Sequence, residues 1–253
     1  MRVRTLSAFL SSLTILAVAA PTALASSPGG AVAGTSTPTG TSKTSGVAPA
    51  KPLHLSPITA RSTRLAYTGP VYQKTATGEI VPYQPPTASG QLSIATGGSP
   101  VGVTADTKPQ LLVPGSLARY VNGLAAAPMS APASVQQVIW AGNQIIGLPY
   151  IFGGGHASFD SPGYDCSGTV SFALHGGSLL SMPEDSSEFM AFGSRGAGRW
   201  IAIFGNSGHA YMDVAGLRLD TSAADDPSNQ QGPRWRPLRT ENGGYAIRHP
   251  LGL

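Results

Sequence analysis

Apolar positions first fall into a regular pattern after Ala131, where Val135, Val138, Ile139, Gly142, Ile145 and Ile146 recur at helical spacing. Ser134 and Gln137 stand at capping-box separation, and Gly147 with Pro149 marks the stop. A glycine-rich loop follows at Phe152-Gly153-Gly154-Gly155. A second helix is expected from Cys166 to Leu174, with Val170, Ala173 and Leu174 as its core face and Gly176-Gly177 as its end. Asp185 and Glu188 predict a short helix over Asp185–Ala191. The remainder reads as sheet. Trp200–Phe204 is an apolar strand, His209–Val214 alternates, Leu217–Asp220 returns across a tight Ala215-Gly216 turn, and Tyr245–Arg248 adds another. Helices first and antiparallel strands afterwards predict an α+β domain over residues 126–253.

Before that domain the pattern weakens. Residues 1–25 read as a signal peptide: Arg2 and Arg4 form the basic start, Leu6–Ala20 the apolar run, and Ala23-Leu24-Ala25 a cleavage signal before Ser26. A membrane anchor is the alternative, but the apolar run is shorter than the ~20 residues a span needs. Residues 26–52 are rich in Ser, Thr, Gly, Pro and Ala, too polar to offset their ordering entropy, and are expected to be a disordered linker. In residues 53–125, Leu65-Ala66-Tyr67, Val71-Tyr72 and Ile80-Val81-Pro82-Tyr83 resemble short strands, enough for a hairpin or two but not for a named domain.

Composition sharpens this division. The chain has 32 Gly and 22 Pro in 253 residues, so part of it is expected to stay unpacked, and all three tryptophans lie in the second half. Residues 26–125 carry seven Lys or Arg against two acids, while residues 126–253 carry seven Arg against ten acids. A basic leader on a mildly acidic domain suits contact with an anionic wall polymer or membrane surface, and equally suits a plain solvated tail. No basic patch interleaved with aromatics indicates nucleic acid.

Cys166 is the sole cysteine, so no disulfide can form within the chain. It is either a buried inert thiol or a reactive one. Asp165 before it is a good cap residue, which places Cys166 in the first turn of a helix, where free N–H groups and the helix dipole favour a thiolate. Ser167 and Gly168 leave room for a substrate. A nucleophilic thiolate needs a base. Among the histidines, His175 falls at a helix end, His249 precedes Pro250 near the end of the chain, and His156 closes the glycine-rich loop. His209 is favoured because it begins a strand after Gly208. A hairpin turning at Ala215-Gly216 pairs Tyr211 with Asp220, which puts Asp220 diagonally beside His209 as the group that orients its ring; Asp213 is the competitor.

Tyr150-Ile151-Phe152-Gly153-Gly154, Asp165-Cys166-Ser167-Gly168, Gly208-His209-Ala210 and Leu219-Asp220-Thr221-Ser222 together resemble the NlpC/P60 peptidases, papain-like enzymes that remodel bacterial peptidoglycan. The likeness covers about residues 130–225. It implies Cys166 as nucleophile, His209 as base, Asp220 as third polar residue and Tyr150 as a helper of the oxyanion. It also implies a secreted, wall-associated hydrolase of peptidoglycan peptide stems that needs no cofactor. The sequence departs from the family in Phe152 for the usual Trp, in the absence of a Pro-Gly-Asp turn before the His-bearing sheet, and in an Asp as third residue. An amidase or acyltransferase of the same fold and a non-catalytic wall-binding protein are the alternatives. There is no His-Glu-x-x-His, no Gly-x-Ser-x-Gly and no phosphate-loop signature, so neither a metal nor a nucleotide is indicated.

Overall fold

In the computed structural model, residues 67–85 and 108–253 are described. The expected signal peptide at 1–25, the linker at 26–52, and Leu65 and Ala66 of the first expected strand lie outside the described residues. The rest is a mixed α+β arrangement of two helices and two sheets within one unit, Ala50–Leu253.

The larger sheet holds six strands in the order β10-β9-β8-β7-β11-β6. They are β6 (Ser194–Arg195), β7 (Ile201–Gly205), β8 (Ala210–Val214), β9 (Leu217–Asp220), β10 (Arg234–Arg236) and β11 (Ala246–His249), and every pairing among them is antiparallel. Alternation along these strands sorts the side chains by face. Ile201, Ile203, Ala210, Met212, Val214, Leu217 and Leu219 join the main core. Ala202, Phe204 and Tyr211 form a separate cluster with Tyr245 and Ile247.

On the main core lie α1 (Ala133–Ile145) and α2 (Cys166–Gly176), packed on each other, with α2 also against β8 and β9. Val135, Val138 and Ile139 of α1 meet Val170, Ala173 and Leu174 of α2 in that core, as the helical spacing predicts. The Ser134 capping box does not form. The helix starts at Ala133 behind Pro132, and no side chain caps it. Ser134 therefore falls inside the first turn, two residues past the cap position. Gln136 instead donates to the carbonyls of Pro128 and Ala131, each at 3.2 Å.

The Asp185–Ala191 helix shrinks to one 3-10 turn at Glu188–Met190, although its reciprocal cap is complete: Asp185 N–H donates to Glu188 Oε2 at 2.7 Å and Glu188 N–H to Asp185 Oδ1 at 2.8 Å. One turn suffices to bury Phe189 fully, a gain of roughly 1.5–3 kcal/mol. Arg248 then takes the carbonyls of Ala191 and Phe192, each at 2.7 Å, which would otherwise accept the next helical bonds.

The smaller sheet, in the order β2-β1-β3-β5-β4, comprises β1 (Tyr72–Lys74), β2 (Ile80–Pro82), β3 (Gln110–Val113), β4 (Arg119–Val121) and β5 (Leu124–Pro128). The expected hairpin is β1 and β2. The other three strands give this region an order its sequence does not show, with β3 and β5 parallel. Residues 126–253, expected to begin a domain, start inside β5. Asn143 of α1 bonds both backbone groups of Ala125, accepting from its N–H at 2.9 Å and donating to its carbonyl at 2.8 Å. Lys108 Nζ donates to the carbonyls of Asn143, Gln144 and Ile146, closing the end of α1, and burial lowers its pKa to about 8. Among the described residues, no helix is long and apolar enough to cross a membrane.

Candidate active site

The site is built at the start of α2. Asp165 adopts extended backbone and accepts from Gly168 N–H at 2.8 Å, an N-cap that leaves Cys166 in the first turn. Its other oxygen accepts from Gly153 N–H at 3.0 Å, so one carboxylate fixes both helix and glycine-rich loop. The fit is close. A Cβ on Gly168 would stand 2.0 Å from the Gly154 carbonyl oxygen, and only glycine lets loop and helix approach this far.

Opposite lies the turn before β8. Asn206 Oδ1 accepts from the N–H groups of Gly208 at 2.9 Å and His209 at 2.8 Å, an Asx turn that sets the backbone at His209. After β8 the chain reverses at Ala215 and Gly216, both at positive φ (48° and 92°), and pairs Val214 with Leu217, Asp213 with Arg218 and Met212 with Leu219. That register carries Asp220 beside His209. The ring Nε2 and Asp220 Oδ1 are 2.9 Å apart, and Asp220 is fully buried. The thiol of Cys166 bonds the His209 ring and the backbone N–H of Ala210.

The electrostatics follow from these contacts. Burial alone would raise the Cys166 pKa, but the bonds from His209 and Ala210 N–H outweigh it and hold the thiol below its usual value. Burial would likewise strip His209 of its proton, yet Asp220 and Cys166 together raise its pKa to about 9. For Asp220, burial raises the pKa, and the His209 hydrogen bond, with Arg218 and Ser222 N–H, brings it below the carboxylate range. The lowered thiol and the raised imidazole both shift the balance toward a thiolate–imidazolium pair beside Asp220, a nucleophile together with a proton donor.

His209 thus stands between Cys166 and Asp220 and meets both. Tyr150 stands at the exposed rim; its phenol pKa is raised by partial burial and then by the nearby charges of Cys166 and Asp165. The other histidines are engaged elsewhere. His175 bonds the Leu180 carbonyl at 3.0 Å and stacks on Phe159, and His249 bonds the Gly196 carbonyl at 2.8 Å. His156 meets Asp165 Oδ1 at 3.0 Å and Ser167 Oγ at 2.9 Å.

Sequence reasoning missed the cations behind Asp220. Arg239 donates to its Oδ2 at 3.1 Å, Arg218 Nε lies 3.6 Å from the same oxygen, and Arg236 Nε donates to its backbone carbonyl at 3.0 Å. Asp213, the competitor for the third position, is not the acid that bonds His209; its Oδ1 is sealed from solvent without a partner, and burial pushes its pKa up to about 7. Arg218 is detectable in principle as a charge alternating in phase with Asp220, but nothing local marks Arg239. Among the described residues, no group of three or more His, Cys, Asp or Glu side chains is placed to hold a metal ion. No family model matches the chain, and no match is found among curated proteins.

Proposed function

We propose that this chain is an exported cysteine peptidase of the papain-like NlpC/P60 type that cleaves an amide bond in the peptide stem of peptidoglycan. The observation that carries the reading is the Cys166 thiol at the head of α2, bonded to a histidine that Asp220 holds at 2.9 Å. The order Cys, His, acid along the chain, a helix bearing the thiol packed on an antiparallel sheet, and the Tyr150 and glycine-rich segment beside it support the family likeness.

In this mechanism the thiolate Sγ attacks the amide carbonyl carbon, and the C=O electrons move onto oxygen. Cys166 N–H, unpaired at the helix start, and Tyr150 at the rim stabilise that oxyanion. Collapse breaks the C–N bond, and the His209 imidazolium gives its proton to the departing amine. The neutral imidazole then deprotonates water, which attacks the thioester; the stem acid leaves and Cys166 returns as thiolate with His209 protonated. Cleavage outside the cell accords with the leader read at 1–25, and the basic residues before 126 supply contact with anionic wall polymers.

The test is digestion of purified muropeptides by the full chain from Ser26, read by mass spectrometry. Release of stem fragments that Cys166→Ala abolishes is expected. Equal product profiles for the two proteins would sink the reading.

A further inference from the structure

Asp220 gives His209 a full negative charge at 2.9 Å inside the protein, where such a charge holds a proton hard. A histidine that must surrender its proton to a leaving amine works best when its affinity lies near the working pH. The geometry behind Asp220 answers this conflict. Its second oxygen accepts from Arg239 Nη2 at 3.1 Å, the only arginine–carboxylate hydrogen bond that Asp220 accepts among the described residues; Arg218 Nε stands off at 3.6 Å.

Arg239 itself is tightly placed. Its guanidinium lies 4.5 Å from the ring centre of Tyr211 and 5.6 Å from that of Tyr245, and its Nη1 donates to the Tyr245 hydroxyl at 3.2 Å. The Tyr245 ring meets the His209 ring edge-on, centres 6.4 Å apart, and that of Tyr211 lies 6.1 Å away. One guanidinium thus touches both the carboxylate that orients His209 and the aromatic wall against which its ring rests.

We propose that Arg239 is a positioning residue for the Cys166–His209 pair: it fixes the Asp220 carboxylate and takes up part of its charge, so that His209 can release its proton. The inference rests on reading Cys166 and His209 as nucleophile and proton donor, but not on the identity of the substrate. Around the pair, Asp165 and Tyr150 face Cys166. Cys166 and Asp220 face His209; Arg218, Arg239, and the like charge of Asp213 face Asp220, with Arg236 on its carbonyl. Arg218 and Arg239 both face Asp213 as well as Asp220, but Arg218 is fully buried, whereas Arg239 is the one that hydrogen-bonds the Asp220 carboxylate.

The test follows the His209 ring by NMR through a pH titration of the full chain with ring-labelled histidine. In Arg239→Gln the titration midpoint is expected to move up by about one pH unit, roughly a tenfold gain in proton affinity. Arg239→Met, which keeps the packing on the two tyrosines, should move it equally, and Arg239→Lys should restore most of the original midpoint. In an Asp220→Asn background the same Arg239 changes should move it little. An unmoved midpoint, or an equal shift with and without Asp220's charge, overturns the proposal. Should Arg239→Gln and Arg239→Met both fail to fold, recovery of the fold on adding Asp220→Asn supports charge balance, and no recovery overturns it. The titration needs no substrate, so inactivity on muropeptides and an unmoved midpoint are separate outcomes.

Discussion

Two histidine–aspartate pairs flank the start of α2, and by distance alone they are nearly the same. His209 meets Asp220 at 2.9 Å and His156 meets Asp165 at 3.0 Å. Their surroundings differ. His156 directs one nitrogen, Nε2, at both Asp165 and Ser167, and its partner is already committed to capping the helix and holding the loop. His209 bonds its acid through Nε2 and its ring also bonds the Cys166 thiol, while two arginines stand behind the acid. A His–Asp contact is therefore weak evidence of catalysis. What else the ring faces, and what compensates the acid, separates a proton carrier from a brace.

The largest effect that would break this contrast is kinetic. His209→Ala is expected to lower muropeptide hydrolysis by roughly 10²–10⁴-fold, the usual contribution of a positioned acid–base group, and His156→Ala by less than about tenfold. Equal losses in the two variants, measured as kcat/KM, would dissolve the distinction. Stability should split the same way. Asp220→Asn leaves buried guanidiniums short of a counter-charge and should cost about 3 kcal/mol in urea denaturation. Asp165→Asn keeps a good cap residue and should cost less than about 1 kcal/mol.

On the loop side, Gly168→Ala forces a methyl against the Gly154 carbonyl oxygen, 2.0 Å away in the present packing. A destabilisation of about 1–3 kcal/mol is expected, with a larger loss of activity than of stability because Cys166 shares that turn. A temperature melt beside an activity assay reads both.

The smallest expected effects are in pH. Folding raises the affinity of His209 for its proton, so its contribution to stability is full below its unfolded value of 6.5 and is lost as pH rises through about 9. Asp220 has the opposite sign: its contribution is present above the usual carboxylate value and is lost as pH falls through its depressed one. Activity should decline over the same alkaline window, as the imidazolium that protonates the leaving amine disappears. A rate profile that stays flat through about 9 would show that His209 is not the proton donor.

Much of the site was readable because its determinants are local. Asp165 before Cys166 announces a capped helix, and the Ala215-Gly216 turn sets the register that carries Asp220 to His209. The small sheet was not readable, since β3 joins β5 in parallel and neither strand signals the other along the chain; the Ala125-Ala126-Ala127 run of β5 also lacks the β-branched residues that mark a strand. The strand Arg234–Arg236 was not expected, because two arginines around one tryptophan give no apolar run to mark it. In the fold Trp235 packs so closely on α1 that a Cβ at Gly142 would lie 2.8 Å from its ring, while Arg236 disappears among Asp226 and the carbonyls of Asp220, Gln230 and Gly232. The α1 start misled because Pro132 takes the cap position two residues before Ser134.

The Lys108 and Asn143 contacts carry a consequence for cooperativity. Lys108 closes the last turn of α1, and Asn143, in that same turn, clasps Ala125 of β5 and accepts from the Trp235 indole at 2.8 Å. Small sheet, helix and the β10 edge of the large sheet are joined through a single amide side chain. The strands that precede α1 are thus part of what melts when the site melts, and loosening them reaches the site through α1 and its packing on α2.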